Sequence, residues 1–363
     1  MIYDALIQLV SLTSVSFIRD RLVLSKALEG LRSSITCLEE LYLVKVTFVA
    51  NHLVQLISGY DCCRPLHLKR ICIASRNDNT DVPGTGLTES LCSTLPLCVG
   101  LRDLELRDIR RSEFPGRDKA ATSTNLSFAL GQLVSKDIPL ESLTLHCVQQ
   151  FDRKVIEAFT AASGLKNLAI YVLSVAPQID WSPLYHTQLN LSSLVLHKYG
   201  QALRVTPELL RYMATHLSGL ESLELGYQVV GISPRDIQQS LSHMSNLKRL
   251  NFAMKKLNDS ALLSCALSTL QYVSLSSDKK AISNAGLYAF AVDTPNLVRF
   301  SLDGANVNNS GVVAIFSSKS KILLWSKLQW LSLSRTRCTN ELVIGSRPQL
   351  VVQLDDFSAK PHD

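Results

Sequence analysis

Paired cysteine ligands are missing from this sequence. Its nine cysteines, Cys37, Cys62, Cys63, Cys72, Cys92, Cys98, Cys147, Cys265 and Cys338, are odd in number and irregular in spacing, with no C-x-x-C pair among them. That pattern excludes a regular disulfide framework and a local zinc site, and it predicts that most are small apolar core residues kept reduced in the cytoplasm or nucleus. No uninterrupted run of about 18 apolar residues occurs, so no membrane span is expected. The N-terminal stretch has no basic n-region and carries Asp4 and Gln8, unlike a signal peptide. Catalytic signatures are also missing. There is no G-x-S-x-G, H-E-x-x-H or P-loop, and Gly84-x-Gly86 lacks a third glycine. The eight histidines are scattered, and adjacent acids such as Glu39-Glu40 suit a solvated surface. No enzyme, cofactor or metal is expected. The net charge of +6 over 363 residues is too mild to argue for nucleic acid, which is not expected as a partner.

What is abundant is leucine at fixed spacing. The form L-x-x-L-x-L stands at Leu101-Leu104-Leu106, Leu140-Leu143-Leu145, Leu191-Leu194-Leu196, Leu220-Leu223-Leu225 and Leu328-Leu331-Leu333. Looser copies keep the apolar class: Leu12-Val15-Phe17, Leu38-Leu41-Leu43, Leu68-Ile71-Ile73, Leu165-Leu168-Ile170, Leu247-Leu250-Phe252, Leu270-Val273-Leu275 and Leu297-Phe300-Leu302. First positions are 23 to 39 residues apart, the period range of a solenoid. In each copy the second and third apolar residues point into a core and the residues between them point out, because side chains alternate along a strand.

Helical segments separate the strands, and several carry start signals. Thr206-Pro207 precedes the apolar face Leu209, Leu210, Met213 and Leu217. Ser233-Pro234 precedes Ile237, Leu241 and Met244, Asp152 precedes Val155, Ile156 and Phe159, and Asn258-Asp259 precedes Ala261, Leu262 and Ala266. A further segment, 284–294, places Leu287, Phe290 and Ala291 on one side. Strand then helix, repeated in one direction, gives a parallel sheet backed by helices. Neither half of a unit buries its own apolar face, so stacking supplies the stability. The expectation is one α/β solenoid over 1–354, with loops near 76–86 and 107–125 and a polar tail, 355–363. The signature around Gln349-Val352-Leu354 is too poor to count as a repeat.

These units resemble the leucine-rich repeats of the ribonuclease-inhibitor-like superfamily. The stretch from Leu302 to Val313, with Asn308-Asn309-Ser310-Gly311-Val312, is similar to the L-x-x-x-x-I-T-D-x-G-L form of that group. The superfamily's Asn or Cys, eight residues after the first leucine, is missing from every copy; Lys255, Asp278, Ala305 and Thr336 are among the replacements. Its absence predicts turns satisfied by other means. Degenerate units of this kind are most similar to the leucine-rich repeat region of F-box proteins. The resemblance implies a right-handed horseshoe of about 12 repeats, sheet concave and helices convex. It implies a protein-interaction scaffold: the substrate-recognition part of an F-box-type ubiquitin ligase adaptor, whose partner is a ligase substrate. Repeats begin near Leu12, so the F-box itself is not present in this chain, and the lack of a polar capping unit fits a truncated N-terminus. A ribonuclease-inhibitor-like inhibitor is the alternative, but its acidic inner face is not matched by the excess arginine here. A small-GTPase regulator is another, against which the short, near-neutral tail counts.

Binding residues are read from the outward strand positions, most of which are small and polar. Tyr171, Arg249, Tyr272, Arg299 and Trp330 stand out, since Tyr, Trp and Arg dominate interface energetics. Four of them fall on successive repeats and are expected to form one patch. The basic loop residues Arg110, Arg111, Arg117 and Lys119 are expected as a second contact.

Overall fold

The computed structural model describes residues 13–18, 37–46, 67–75, 95–107, 121–148, 153–172, 180–186, 189–198, 204–229, 231–255, 257–317, 324–339 and 349–355. The chain divides into two compact units, Met1–Asn190 and Leu191–Asp363.

In the first unit six strands pair in parallel and in chain order: β1 (Ser14–Ile18), β2 (Glu40–Val46), β3 (Arg70–Ser75), β4 (Asp103–Arg107), β5 (Ser142–Val148) and β6 (Asn167–Val172). Register puts like on like. Leu104 aligns with Leu143 and then Leu168, and Leu106 with Leu145 and then Ile170; all six are buried. Helix α1 (Ala121–Ser135) precedes β5, and α2 (Arg153–Thr160) precedes β6, burying Val155, Ile156 and Phe159.

The second unit repeats the scheme with seven parallel strands: β7 (Ser193–Lys198), β8 (Ser222–Val229), β9 (Arg249–Met254), β10 (Tyr272–Ser277), β11 (Arg299–Asp303), β12 (Trp330–Ser334) and β13 (Val351–Asp355). Its helices are α3 (Pro207–His216), α4 (Pro234–Leu241), α5 (Asp259–Ser264), α6 (Asn284–Asp293) and α7 (Asn309–Phe316). One apolar row runs Leu194, Leu223, Leu250, Val273, Phe300, Leu331 and the next Leu196, Leu225, Phe252, Leu275, Leu302, Leu333, every member buried. Phe300 meets Phe290 of α6 at 5.5 Å and Trp325 at 4.9 Å between ring centroids. The buried Trp325 indole N–H donates to Thr294 Oγ1 at 3.1 Å, so its polar atom is satisfied in the core.

The helix starts follow the caps in the sequence. The side chains of Thr206, Ser233 and Asn258 accept from Leu209 N, Asp236 N and Ala261 N. Ser233 and Asp236 complete a capping box. A second device links repeats. Asp259, the first residue of α5, accepts from Ser283 N at 2.7 Å and Ser283 Oγ at 2.6 Å, and Ser283 caps α6. Asn284, first in α6, accepts from Asn308 N at 3.1 Å and donates to its Oδ1 at 2.9 Å; Asn309, first in α7, accepts from Thr339 N at 2.9 Å. Gly286 and Gly311 leave room for this ladder, since a Cβ there would lie 2.0 Å from Asp259 Oδ1 and 2.1 Å from Asn284 Oδ1. Side chains of one repeat thus satisfy backbone N–H groups of the next at Ser283, Asn308 and Thr339. In the turn after β10 the buried Ser277 hydroxyl likewise accepts from Leu257 N and Lys279 N and donates to Lys279 O.

Two expectations are corrected. The stretch 107–125 is not a loop throughout. Arg107 closes β4 and residues 121–125 begin α1; Ala129, Leu130 and Leu133 bury that helix, a face that the Thr-Ser-Thr-Asn run ahead of it obscures. The poor signature near residue 349 does form a strand, because β13 needs only backbone pairing to the edge of β12. The cysteine expectation agrees with three of the five described: Cys72, Cys98 and Cys265 are buried, while Cys338 is partly exposed and Cys37 exposed. Burial pushes the thiols of Cys98 and Cys265 up to about 12. The expected loop 76–86 lies outside the described residues, as do Arg110, Arg111, Arg117 and Lys119.

Candidate functional site

In the second unit the first outward residues of the strands form one row. Ser222, Arg249, Tyr272, Arg299, Trp330 and Val351 are register partners in that order. Parallel strands stand about 4.8 Å apart, so these six side chains rise from a line about 24 Å long. Arg249 and Arg299 are exposed, Tyr272 and Trp330 half-buried. Val351 is 58% exposed, the highest fraction among the large apolar residues on this row. The guanidinium of Arg249 sits over the Tyr272 ring at 4.5 Å, a cation–π contact that holds it toward β10. The next row, Asn251, Ser274, Ser301, Ser332 and Gln353, is small and uncharged. It leaves the first row standing clear.

Two carboxylates elsewhere on this face, Asp303 and Glu224, have hydrogen-bond partners. Arg335 grips Asp303 with two hydrogen bonds, Nε to Oδ1 at 2.7 Å and Nη2 to Oδ2 at 2.5 Å, and Nη2 also donates to Ser277 O at 3.3 Å. The hydrogen bond to Asp303 raises the Arg335 pKa and locks its charge. His197 Nε2 lies 2.6 Å from Glu224 Oε1, and that hydrogen bond holds the Glu224 carboxyl below its usual value. Gly226 opens the space for this ring, since a Cβ there would fall 1.9 Å from His197 Cε1. At the rim Lys248 pairs with Glu221 at 2.9 Å. Among the described residues, Arg249 and Arg299 have no carboxylate partner.

The structure thus brings Arg249, Tyr272, Arg299 and Trp330 together, as their repeat positions predict. Tyr171 belongs to the first unit, at the end of β6, with its ring 4.7 Å from that of His146. Sequence reasoning missed the Asp303–Arg335 clamp and Val351. The clamp joins unlike offsets, six residues after Leu297 and seven after Leu328, so repeat alignment alone does not signal it. Among the described residues no group of three or more His, Cys, Asp or Glu could hold a metal ion, and no helix is long and apolar enough to cross a membrane.

Parallel strands alternating with helices around aligned leucine rows define a leucine-rich repeat fold. Solved structures of this class match it. The yeast Rad7 and Elc1 complex superposes with a TM-score of 0.51 at 16% identity, covering 91% of this chain and 85% of that one. The TLR13–ssRNA13 complex gives 0.52 at 15% identity, covering 97% of this chain but 47% of that one. An internalin (inlF) of Listeria monocytogenes gives 0.49 at 16% identity, with 99% and 94% covered. No family model matches the sequence, and no curated protein does.

Proposed function

We propose that this chain is a protein-interaction scaffold without catalytic activity, serving as the substrate-recognition part of an F-box-type ubiquitin ligase adaptor. The observation that carries the reading is the row Arg249, Tyr272, Arg299, Trp330: residue types that supply interface hot spots, aligned on adjacent strands. A rigid sheet suits recognition, because its side chains are ordered before the partner arrives. Rad7, solved with Elc1, is an example of this fold engaging a protein. TLR13, solved with ssRNA13, removes the ground for excluding nucleic acid, but at the row itself two uncompensated arginines are few for a polyanion. Arg110, Arg111, Arg117 and Lys119 would add a second contact. The five free cysteines among the described residues suit the cytoplasm or nucleus. The inhibitor reading is weaker, since on the described sheet of the second unit the carboxylates Glu224 and Asp303 already have hydrogen-bond partners.

The test is capture from cells with the full chain and with Arg299→Ala/Trp330→Ala. The expected result is a partner lost from the double variant and ubiquitinated only when the intact chain is present. Retention of every partner by the double variant removes this row as the site. A partner captured but never ubiquitinated leaves the scaffold and removes the adaptor role.

A further inference from the structure

We infer that a second copy of this chain docks on the helical side of the second unit, the two α6 helices lying antiparallel across a two-fold axis. The inference is independent of the scaffold reading, whose row lies on the strands. Its basis is composition set against exposure. Between its first and last residues α6 holds only apolar or small side chains, and a helix apolar all round is normally buried on every side. One side is buried, with Leu287, Phe290 and Ala291 in the core. The other is open: Tyr288 is 38% and Val292 49% exposed, Ala285 is exposed and Ala289 half-buried. Flanking helices extend this surface without charge. Leu263 on α5 and Ala314 on α7 are exposed, and Asp259 of α5 is taken up by Ser283. The helices before them present a solvated face, with Glu208 and Arg211 on α3 and Arg235, Gln238 and Gln239 on α4 all exposed.

The pattern on α6 complements itself, which selects a second copy over an unrelated partner. Antiparallel pairing about the midpoint between Tyr288 and Ala289 sets Tyr288 of each copy against Ala289 of the other, and Val292 against Ala285. Each large side chain then meets a small one, as interdigitating helices require. Charge agrees. Asp293 stands at the C-terminus of α6, the negative end of its own dipole, and the exposed Lys279 and Lys280 lie ahead of the positive end. Both placements are unfavourable within one chain. None of the three side chains has an ion pair among the described residues, although the adjacent Asp278 interacts with Arg335. Antiparallel pairing brings Asp293 of each copy to the lysine-bearing end of the other, and aligns the two dipoles head to tail. A patch one α6 long, about 15 Å, and three helices wide, about 30 Å, covers about 450 Å² on each copy and about 900 Å² in all. That is small for a stable complex, so the dimer forms reversibly at micromolar concentration.

The test is sedimentation of the full chain from about 1 μM to about 100 μM, the range in which a weak complex assembles. The mass should rise from that of one chain toward two. Val292→Lys should raise the dissociation constant about tenfold or more, by burying a charge without a partner. Asp293→Lys and Lys279→Glu/Lys280→Glu should each weaken the dimer, and all three reversals together should restore it. Each reversal agrees with the α6 dipole and should leave the monomer at least as stable, so loss of fold would not account for a weaker dimer. A mass that stays at one chain throughout overturns the inference, as does a dimer indifferent to Val292→Lys or reversals whose effects add instead of cancelling. A chain that stays monomeric, yet loses a captured protein with Val292→Lys, also overturns it and assigns the surface to another partner. Arg299→Ala/Trp330→Ala should leave the dimer unchanged, which keeps this result separate from the fate of the scaffold reading; a dimer lost with that variant contradicts the α6 interface.

Discussion

Arg70 in the first unit and Arg249 in the second each lie over a tyrosine on a neighbouring strand, at 5.5 Å from Tyr42 and 4.5 Å from Tyr272. Their surroundings differ. Arg70 sits in register between Glu40 and Asp103, and Glu40 also accepts from Ser14 and Tyr42. Two rows on, Arg107 is bonded to Glu105; at the rim Glu141 holds both Arg102 and Lys166. Arg249 sits between Ser222 and Tyr272, and Arg299 between Tyr272 and Trp330. The same cation–π motif thus has carboxylate residues at both register-partner positions in one unit, although Arg70 itself makes no ion pair among the described residues, and uncharged residues at those positions in the other. A charge already paired on its own surface gains little from a partner, because the pair must first be broken or desolvated. Arg249 and Arg299 have no carboxylate at a register-partner position, and that difference is the ground on which the second unit is proposed as the binding face.

The comparison holds only for the surface, and the cores should behave alike. Leu104→Ala and Leu223→Ala, each from an aligned buried row, should both cost about 2–5 kcal/mol in urea unfolding, as cavities in packed cores do. A cost below about 1 kcal/mol for either would mean that its row is not the packed core described. The ladder between helices comes next. Gly286→Ala would drive a Cβ to 2.0 Å from Asp259 Oδ1 and should destabilise by about 1–3 kcal/mol, as overpacking does. Adding Asp259→Ala should relieve part of that clash, so strict additivity in the double-mutant cycle would contradict the contact.

A smaller effect belongs to the α4 cap. Ser233→Ala should cost about 1 kcal/mol. Hydrogen bonds from Ser233 hold the Asp236 carboxyl below its ordinary 3.8. A depressed acid contributes stability above its unfolded value and loses it as pH falls through the lower folded one, so the intact chain should lose this contribution on acidification below 3.8. The variant should show a flatter acid limb, and parallel acid limbs would contradict the capping box. The smallest change in stability, within about 0.5 kcal/mol, is expected for Arg299→Ala/Trp330→Ala, which alters surface rather than core.

Most of the strand framework was legible from sequence because leucine spacing and the two-residue strand period reinforce each other. Helices were legible where a capping residue stands before an apolar face, as at Thr206, Ser233 and Asn258. Helix α1 was hidden by small polar residues across its first turns, and β13 by an exposed Gln349 where a buried leucine would mark the repeat. Of the site, the aligned row followed from repeat arithmetic alone. Which arginines are uncompensated did not, because Asp303 and Arg335 are 32 residues apart and find each other only through stacking.

The most direct test places a photo-crosslinking residue at Ser274, beside the row, and in a second protein at Leu263, exposed on α5. The account predicts that one partner crosslinks at Ser274 and that Arg299→Ala/Trp330→Ala abolishes the adduct. Crosslinking confined to Leu263, unchanged by the double variant, would contradict it and move the binding surface to the helices.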